Sequence, residues 1–169
     1  LPFKSEVFDG AVSLHTFHHL PASDQESAYL GLHRVLVQGA SAVVVNGWTD
    51  SPLMRRWQWL VQIMERLGGM VVAKRKKEVL LEQKTSPAAA KPSGTFVKKF
   101  DAAWLRQMLQ GKMDYEIRVW RSLSVRFTRA VMHKATGGGL WLKLVYWLEE
   151  RFPRHFGENG QYPLIILKK

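Results

Sequence analysis

The order of apolar patterns in the first 45 residues constrains the fold more than any other feature of this sequence. Val7 to Leu14 (VFDGAVSL) is typical of a buried strand, and Ser41 to Val45 (SAVVV) of a strand covered on both faces. Between them, four apolar residues recur at the spacing of one helical face: Ala28, Leu32, Val35 and Leu36. Strand, helix and strand in so short a stretch predict a βαβ unit with parallel strands, and therefore an α/β fold.

Two local signals predict the ends of this first helix. Ser23 and Glu26 have the spacing of a capping box, in which each side chain satisfies a backbone N–H near the helix start. Gly39 follows the apolar stripe and is predicted to end the helix in a left-handed conformation.

The region after residue 50 alternates helical patterns with polar breaks. Asp50 or Ser51, together with Pro52, predicts a helix start, because proline is tolerated in a first turn. The stripe of this helix comprises Leu53, Trp57, Leu60, Val61 and Met64, and Gly68-Gly69 is predicted to end it. Proline, glycine and small residues between Lys84 and Gly94 predict a linker or mobile loop.

The remaining elements follow from capping and periodicity. Asp101 is predicted to cap a helix whose inward residues are Leu105, Met108 and Leu109. Tyr115, Ile117 and Val119 alternate with charged residues, as in a strand. Two more helices, Phe127 to Lys134 and Leu140 to Phe152, flank a glycine run, and Tyr162 to Leu167 is a closing strand that tolerates Pro163 at its start.

The first 48 residues contain several short motifs whose order and spacing resemble those of class I S-adenosylmethionine-dependent methyltransferases. This group includes the ubiquinone-biosynthesis C-methyltransferases. The matching residues are Leu1-Pro2-Phe3, Phe8-Asp9, His18-His19-Leu20, Arg34-Val35-Leu36, Gly39 and Val43 to Val45, and Gln161 to Ile166 are similar to the family's closing strand. Gln38 and Ala40 depart from the family's usual proline and second glycine at turn positions.

The resemblance implies a fold and an arrangement of domains. The chain would be the C-terminal part of a doubly wound, Rossmann-like sheet of about four strands, the last two antiparallel, with inserted helices. Within one partial domain, residues 1–50 would be the strand–helix–strand core, 51–156 the inserted helices and a lid-like region, and 157–169 the closing strand. The family's glycine-rich cofactor loop would lie upstream of Leu1, in about 70–120 further residues.

The same resemblance implies a reaction and its residues. The expected activity is methyl transfer from S-adenosylmethionine to a small-molecule acceptor, with this chain inactive alone. Ser13, Leu14 and His15 would lie beside the methionine part of the cofactor. His15 and His18 are the candidate general bases, because a histidine pKa lies near physiological pH. His19 is expected to be structural.

The H-x-x-H-H run also has a spacing seen in metal sites, with His15 and His19 four residues apart. The chain has no cysteine, and no clearly placed carboxylate completes a site, so no metal is expected. The lack of cysteine is compatible with a reducing cytosol, and a cytoplasmic protein is expected.

Tryptophans and bases are concentrated in the second half of the chain, and three interpretations of them stay open. They could line a lid for an apolar or anionic acceptor. Leu140, Leu144, Trp147 and Leu148 could be the core face of a helix, which is the preferred interpretation, or that helix could lie on an anionic membrane. The alternative to an enzyme is a non-catalytic binding or membrane-surface-associated module that retains the back half of the fold.

Charge is distributed unevenly along the chain. Residues 1–50 carry a net −3 and residues 51–169 a net +14, giving +11 overall. The bases are scattered among acids and apolar residues, which favours a solvated surface over a nucleic-acid site, and no nucleic-acid recognition module is apparent.

Overall fold

A computed structural model describes residues 1–66, 99–131 and 138–169. Its strands are β1 (Phe8–Leu14), β2 (Leu36–Val45), β3 (Asp114–Arg121) and β4 (Tyr162–Lys168). Its helices are α1 (Ala22–Val35), α2 (Pro52–Arg56), α3 (58–66), α4 (Ala102–Leu109), α5 (Val125–Val131), α6 (Gly138–Arg151) and α7 (Pro153–Asn159), with a 3₁₀ turn at Phe17–His19. The predicted segment from Lys84 to Gly94 and the helix end at Gly68-Gly69 lie outside the described residues.

The described strands form one mixed sheet in the order β1-β2-β4-β3. β1 and β2 are parallel, with Leu14 opposite Val45, as the βαβ pattern predicts. β4 runs antiparallel to both β2 and β3. The predicted α/β class, with about four strands of which the last two are antiparallel, is therefore confirmed.

The main core lies between the sheet and two helices, α1 and α4. Tyr29 and Leu32 of α1 and Leu105 and Leu109 of α4 are buried against apolar residues of β2 and β4. Asp101 caps α4, since its carboxylate accepts from the Trp104 N–H at 2.8 Å, as predicted. A second cluster forms around Val61, Leu123, Phe127 and Val131.

The start of α1 does not follow the predicted capping box. The helix begins at Ala22 after Pro21, and the Ser23 hydroxyl donates to the neighbouring Asp24 carboxylate at 2.9 Å. Glu26 forms an ion pair with Lys112 instead. The chain leaves the 3₁₀ turn in extended geometry at Pro21, so the helix starts too early for Ser23 to cap it.

Gly39 has the predicted left-handed conformation, with φ of 80°, but it does not end a helix. α1 ends at Val35, and Gly39 lies inside β2. There the pairing with β1 jumps from Phe8–Leu36 to Gly10–Ser41, so extra β2 residues must bulge out. The Gly39 N–H donates to the Lys169 carbonyl at 2.9 Å.

Two predictions of burial were wrong. β1 was expected to be buried, but it lies at the edge of the sheet, and Val12 is 71% exposed. The stripe on α6 was expected to face the core, yet Leu140, Leu144 and Trp147 are 74, 46 and 59% exposed. Val145 and Glu149 hold the helix from its other side, where Val145 packs on the second cluster and Glu149 accepts from Ser122.

Candidate active site

Four strand ends meet at one edge of the sheet. β1 ends at Leu14 and β2 at Val45, which are paired. β3 ends at Arg121, opposite Tyr162 at the start of the antiparallel strand β4. Residues that follow β1 and β2 therefore lie at the carboxyl ends of two parallel strands, where open α/β sheets bind ligands.

His15 directly follows β1 in a left-handed conformation, with φ of 54°. Histidine adopts this region more readily than most residues, though at some cost in free energy. Its N–H donates to the Val45 carbonyl at 2.8 Å, which ties the turn to the end of β2. Its exposed ring stands edge-on to the Tyr162 ring, with 5.4 Å between centroids.

His18 lies in the 3₁₀ turn that follows, which the buried Phe17 ring anchors against Tyr29. The Nδ1 atom of His18 is 3.3 Å from the amide oxygen of Asn46, whose amide nitrogen donates to the Tyr29 hydroxyl at 3.3 Å. An amide oxygen only accepts, so Nδ1 carries the proton in this pair. The neutral His18 ring therefore has its lone pair on Nε2.

Both histidines are held towards their neutral form. Desolvation of the part of the His15 side chain that is buried lowers its pKa, and the Arg121 and Lys99 cations lower it further. Burial also lowers the pKa of His18, with smaller contributions from His19, Lys99 and His15, while the Asn46 hydrogen bond opposes the change. A cation disfavours a second positive charge nearby, so both rings are mainly neutral at physiological pH.

The two cations belong to segments remote from the histidines in sequence. Lys99 packs over Gly47, where an added Cβ would lie 3.1 Å from the lysine Nζ. The Arg121 guanidinium lies over the Tyr162 ring, 4.3 Å from its centroid. The edge of the sheet thus combines neutral imidazoles with two positive charges, an arrangement suited to deprotonating a ligand and stabilising the resulting anion.

The structure brings His15 and His18 together, with ring centroids 6.0 Å apart. Ser13 is half-buried in β1, and Leu14 is 54% exposed at its end. Asn46 was not predicted from the sequence, although its position after β2 could have indicated it. From the sequence, Tyr162 was predicted only as the first residue of a strand and not as part of the site.

No group of three or more histidine, cysteine, aspartate or glutamate side chains in 1–66, 99–131 and 138–169 could hold a metal ion. Within the same ranges, every helix is too short or too polar to cross a membrane.

A family model described as a methyltransferase domain covers the start of the chain, including β1, α1, most of β2 and both histidines. Residues 1–44 match a methyltransferase domain. Lys99, Arg121 and Tyr162 lie outside the matched residues, so the family match reaches only one side of the candidate site.

Solved structures that resemble the chain include the [4+2]-cyclase SpnF, at 16% identity and a TM-score of 0.44. They also include an S-adenosylmethionine-dependent methyltransferase from Archaeoglobus fulgidus, at 14% identity and a TM-score of 0.47. A third is a phosphoethanolamine N-methyltransferase from Haemonchus contortus, at 12% identity and a TM-score of 0.45. No curated protein sequence is similar enough to count as a match.

These alignments cover 98–100% of this chain. The chain spans 53% of the cyclase, 61% of the archaeal methyltransferase and 35% of the nematode enzyme. At these identities and TM-scores, the likenesses carry no inference about reaction or substrate.

Proposed function

We propose that this chain is part of an enzyme that transfers a methyl group from S-adenosylmethionine to a small-molecule acceptor. The observation that carries the proposal is the match of residues 1–44 to a methyltransferase domain, in which His15 and His18 follow the first parallel strand. The neutral state of both rings and the nearby cations support it.

Ser13, Leu14 and His15 would form one wall of the cofactor site. The exposed Leu14 side chain and the half-buried Ser13 lie at the carboxyl end of a parallel strand, and they suit the small, partly apolar methionine part of the cofactor. When bound, the cofactor would supply a methyl group on a sulfonium, so that an acceptor could form its new bond to the methyl carbon in line as the carbon–sulfur bond breaks and S-adenosylhomocysteine leaves.

The other walls would come from residues upstream of Leu1, about 70–120 of them by the size of half a doubly wound domain. The exposed face of β1 supports this extension, because Val12 and Leu14 are apolar and uncovered. Mass spectrometry of the native protein tests it, and a mature chain that begins at Leu1 would contradict it.

In this proposal, His18 is the general base. Its Nε2 lone pair takes the proton of an acceptor hydroxyl or amine, while the Asn46 oxygen keeps the Nδ1 proton in place. Lys99 and Arg121 would stabilise the deprotonated acceptor, and His15 is the alternative base. Positioning supplies the rest of the acceleration, since methyl displacement needs no acid.

Replacing the histidines in the full-length enzyme tests this assignment. His18→Ala should lower kcat about 10²- to 10⁴-fold and remove the decline in rate on the acid side of neutrality. His155→Ala, on the exposed surface of α7, is the matched control and should keep kcat within about twofold. Unchanged turnover in both His15→Ala and His18→Ala would remove the base role.

The outward stripe of α6 favours a second candidate function, attachment to an anionic membrane surface. Leu140, Leu144 and Trp147 share one exposed face, beside Lys143 and Arg151. Such a face buries apolar side chains at the lipid boundary while its bases meet anionic headgroups. The protein should pellet with vesicles that contain phosphatidylserine and much less with phosphatidylcholine alone. No pelleting with either rejects this candidate.

A further inference from the structure

A groove of about 470 Å³ lies between α6 and the segment that follows β3. Its walls are mainly apolar, with Leu142, Val145 and Tyr146 from α6 and Leu123 from the opposite side. This volume is within the range of small-molecule sites, about 300–1,000 Å³. The groove lies on a different face of α6 from the outward stripe, because Leu142 and Tyr146 are rotated away from Leu140, Leu144 and Trp147.

Arg121 belongs to both the groove and the histidine site. It is one of the residues that line the groove. Its guanidinium covers the Tyr162 ring and lowers the pKa of His15. A ligand that reaches from Leu142 to Arg121 would therefore end beside the proposed catalytic residues.

The charges around the groove favour an anion. Arg121 and Lys143 line it together with one carboxylate, that of Glu149. Glu149 is occupied with Ser122, whose N–H donates to it at 2.8 Å and whose hydroxyl donates to it at 2.5 Å. Two cations against one carboxylate leave the lining of the groove with a net positive charge.

We propose that this groove binds the apolar part of an amphipathic acid, whose carboxylate or similarly ionised head pairs with Arg121. This inference rests on the proposed function, because such an acid would be the methyl acceptor. A hydroxyl or amine close to its ionised head would lose its proton to His18, or to His15 as the alternative base, and its oxygen or nitrogen would take the methyl group as S-adenosylhomocysteine leaves. It narrows the acceptor from any small molecule to an anion with an aliphatic or aromatic tail.

Calorimetric titration with simple probes tests the groove without any methyl transfer. Decanoate should bind the full chain saturably, and butyrate at least tenfold more weakly, because burial of each methylene contributes to affinity. Decyltrimethylammonium has the same tail and the opposite charge, and it should also bind at least tenfold more weakly.

Matched variants on one helix locate the site. Leu142→Gln should weaken decanoate binding about five- to tenfold, whereas Leu144→Gln on the outward stripe should leave it within twofold. Arg121→Gln should weaken the binding of decanoate but leave the binding of uncharged decanol unchanged. Circular dichroism of each variant establishes that it is folded.

Equal weakening by Leu142→Gln and Leu144→Gln would overturn the proposal, as would absent decanoate binding or equal affinity for butyrate. These outcomes are separable from failure of the proposed function. Loss of the groove would leave binding of S-adenosylhomocysteine intact, and an enzyme that does not bind S-adenosylhomocysteine could still bind decanoate.

Discussion

The His15 and His18 rings lie 6.0 Å apart but respond to different neighbours. Arg121 lowers the pKa of His15 but not that of His18, whereas Lys99 lowers the pKa of both. Asn46 contacts only His18 and opposes the lowering of its pKa. The two rings can therefore be distinguished by removing one cation at a time.

Arg121→Gln should raise the pKa of His15 and leave that of His18 unchanged, because only His15 loses a nearby positive charge. Lys99→Gln should raise both. NMR titration of the imidazole protons measures each pKa directly. An equal rise in both pKa values on removal of Arg121 would contradict the described geometry.

Only part of this site could be predicted from the sequence, and there is a physical reason why the other residues could not. Ser13, Leu14, His15 and His18 are adjacent in the chain, so one resemblance indicated them together, although their roles stay predictions. Lys99 and Tyr162 come to the same edge only through the folding of the sheet. No local pattern records such a contact.

Helix α7 packs closely against β3 of the sheet. Gly157 is buried, and an added Cβ would overlap the backbone carbonyl of Arg118 in β3. The Gly157 carbonyl also accepts from the Trp48 indole N–H at 2.8 Å. Glycine is thus required here by the close approach of two backbones.

Gly157→Ala should lower the free energy of unfolding by about 1–3 kcal/mol, the usual cost of overpacking. Gly139→Ala in α6 is the matched control, because its added Cβ meets nothing within 4 Å. That change should be neutral or stabilise the protein by up to about 1 kcal/mol through helix propensity. Urea unfolding measures both, and an equal effect of the two substitutions would show that the α7 contact is not tight.

Periodicity predicted α4, β3 and β4 well, because each has one face on a core that the chain itself supplies. For α6, periodicity predicted the helix but not the direction of its apolar face, and the reason is related. A stripe shows which residues share a face, but it does not show which face the rest of the chain covers. Leu140, Leu144 and Trp147 share a face as predicted, while α6 is anchored through Val145 and Glu149.

Across the described residues, β1 and α6 are among the elements that carry uncovered apolar side chains. Val12 and Leu14 of β1 are exposed, and so is the outward stripe of α6. β1 is an edge strand of the sheet that the described residues form. Uncovered apolar surfaces of this kind mark sites of interaction, and we assign the one on β1 to the proposed upstream residues.

The central claim is that this chain forms one wall of a site for S-adenosylmethionine. Calorimetric titration of S-adenosylhomocysteine into the native protein, expressed from its whole coding sequence, tests it most directly. We predict saturable binding at one site per chain, weakened at least tenfold by Leu14→Gln and unchanged by Leu30→Gln, a surface leucine of α1. A folded native protein that does not bind the ligand, or that binds it with equal affinity in both variants, would contradict the claim.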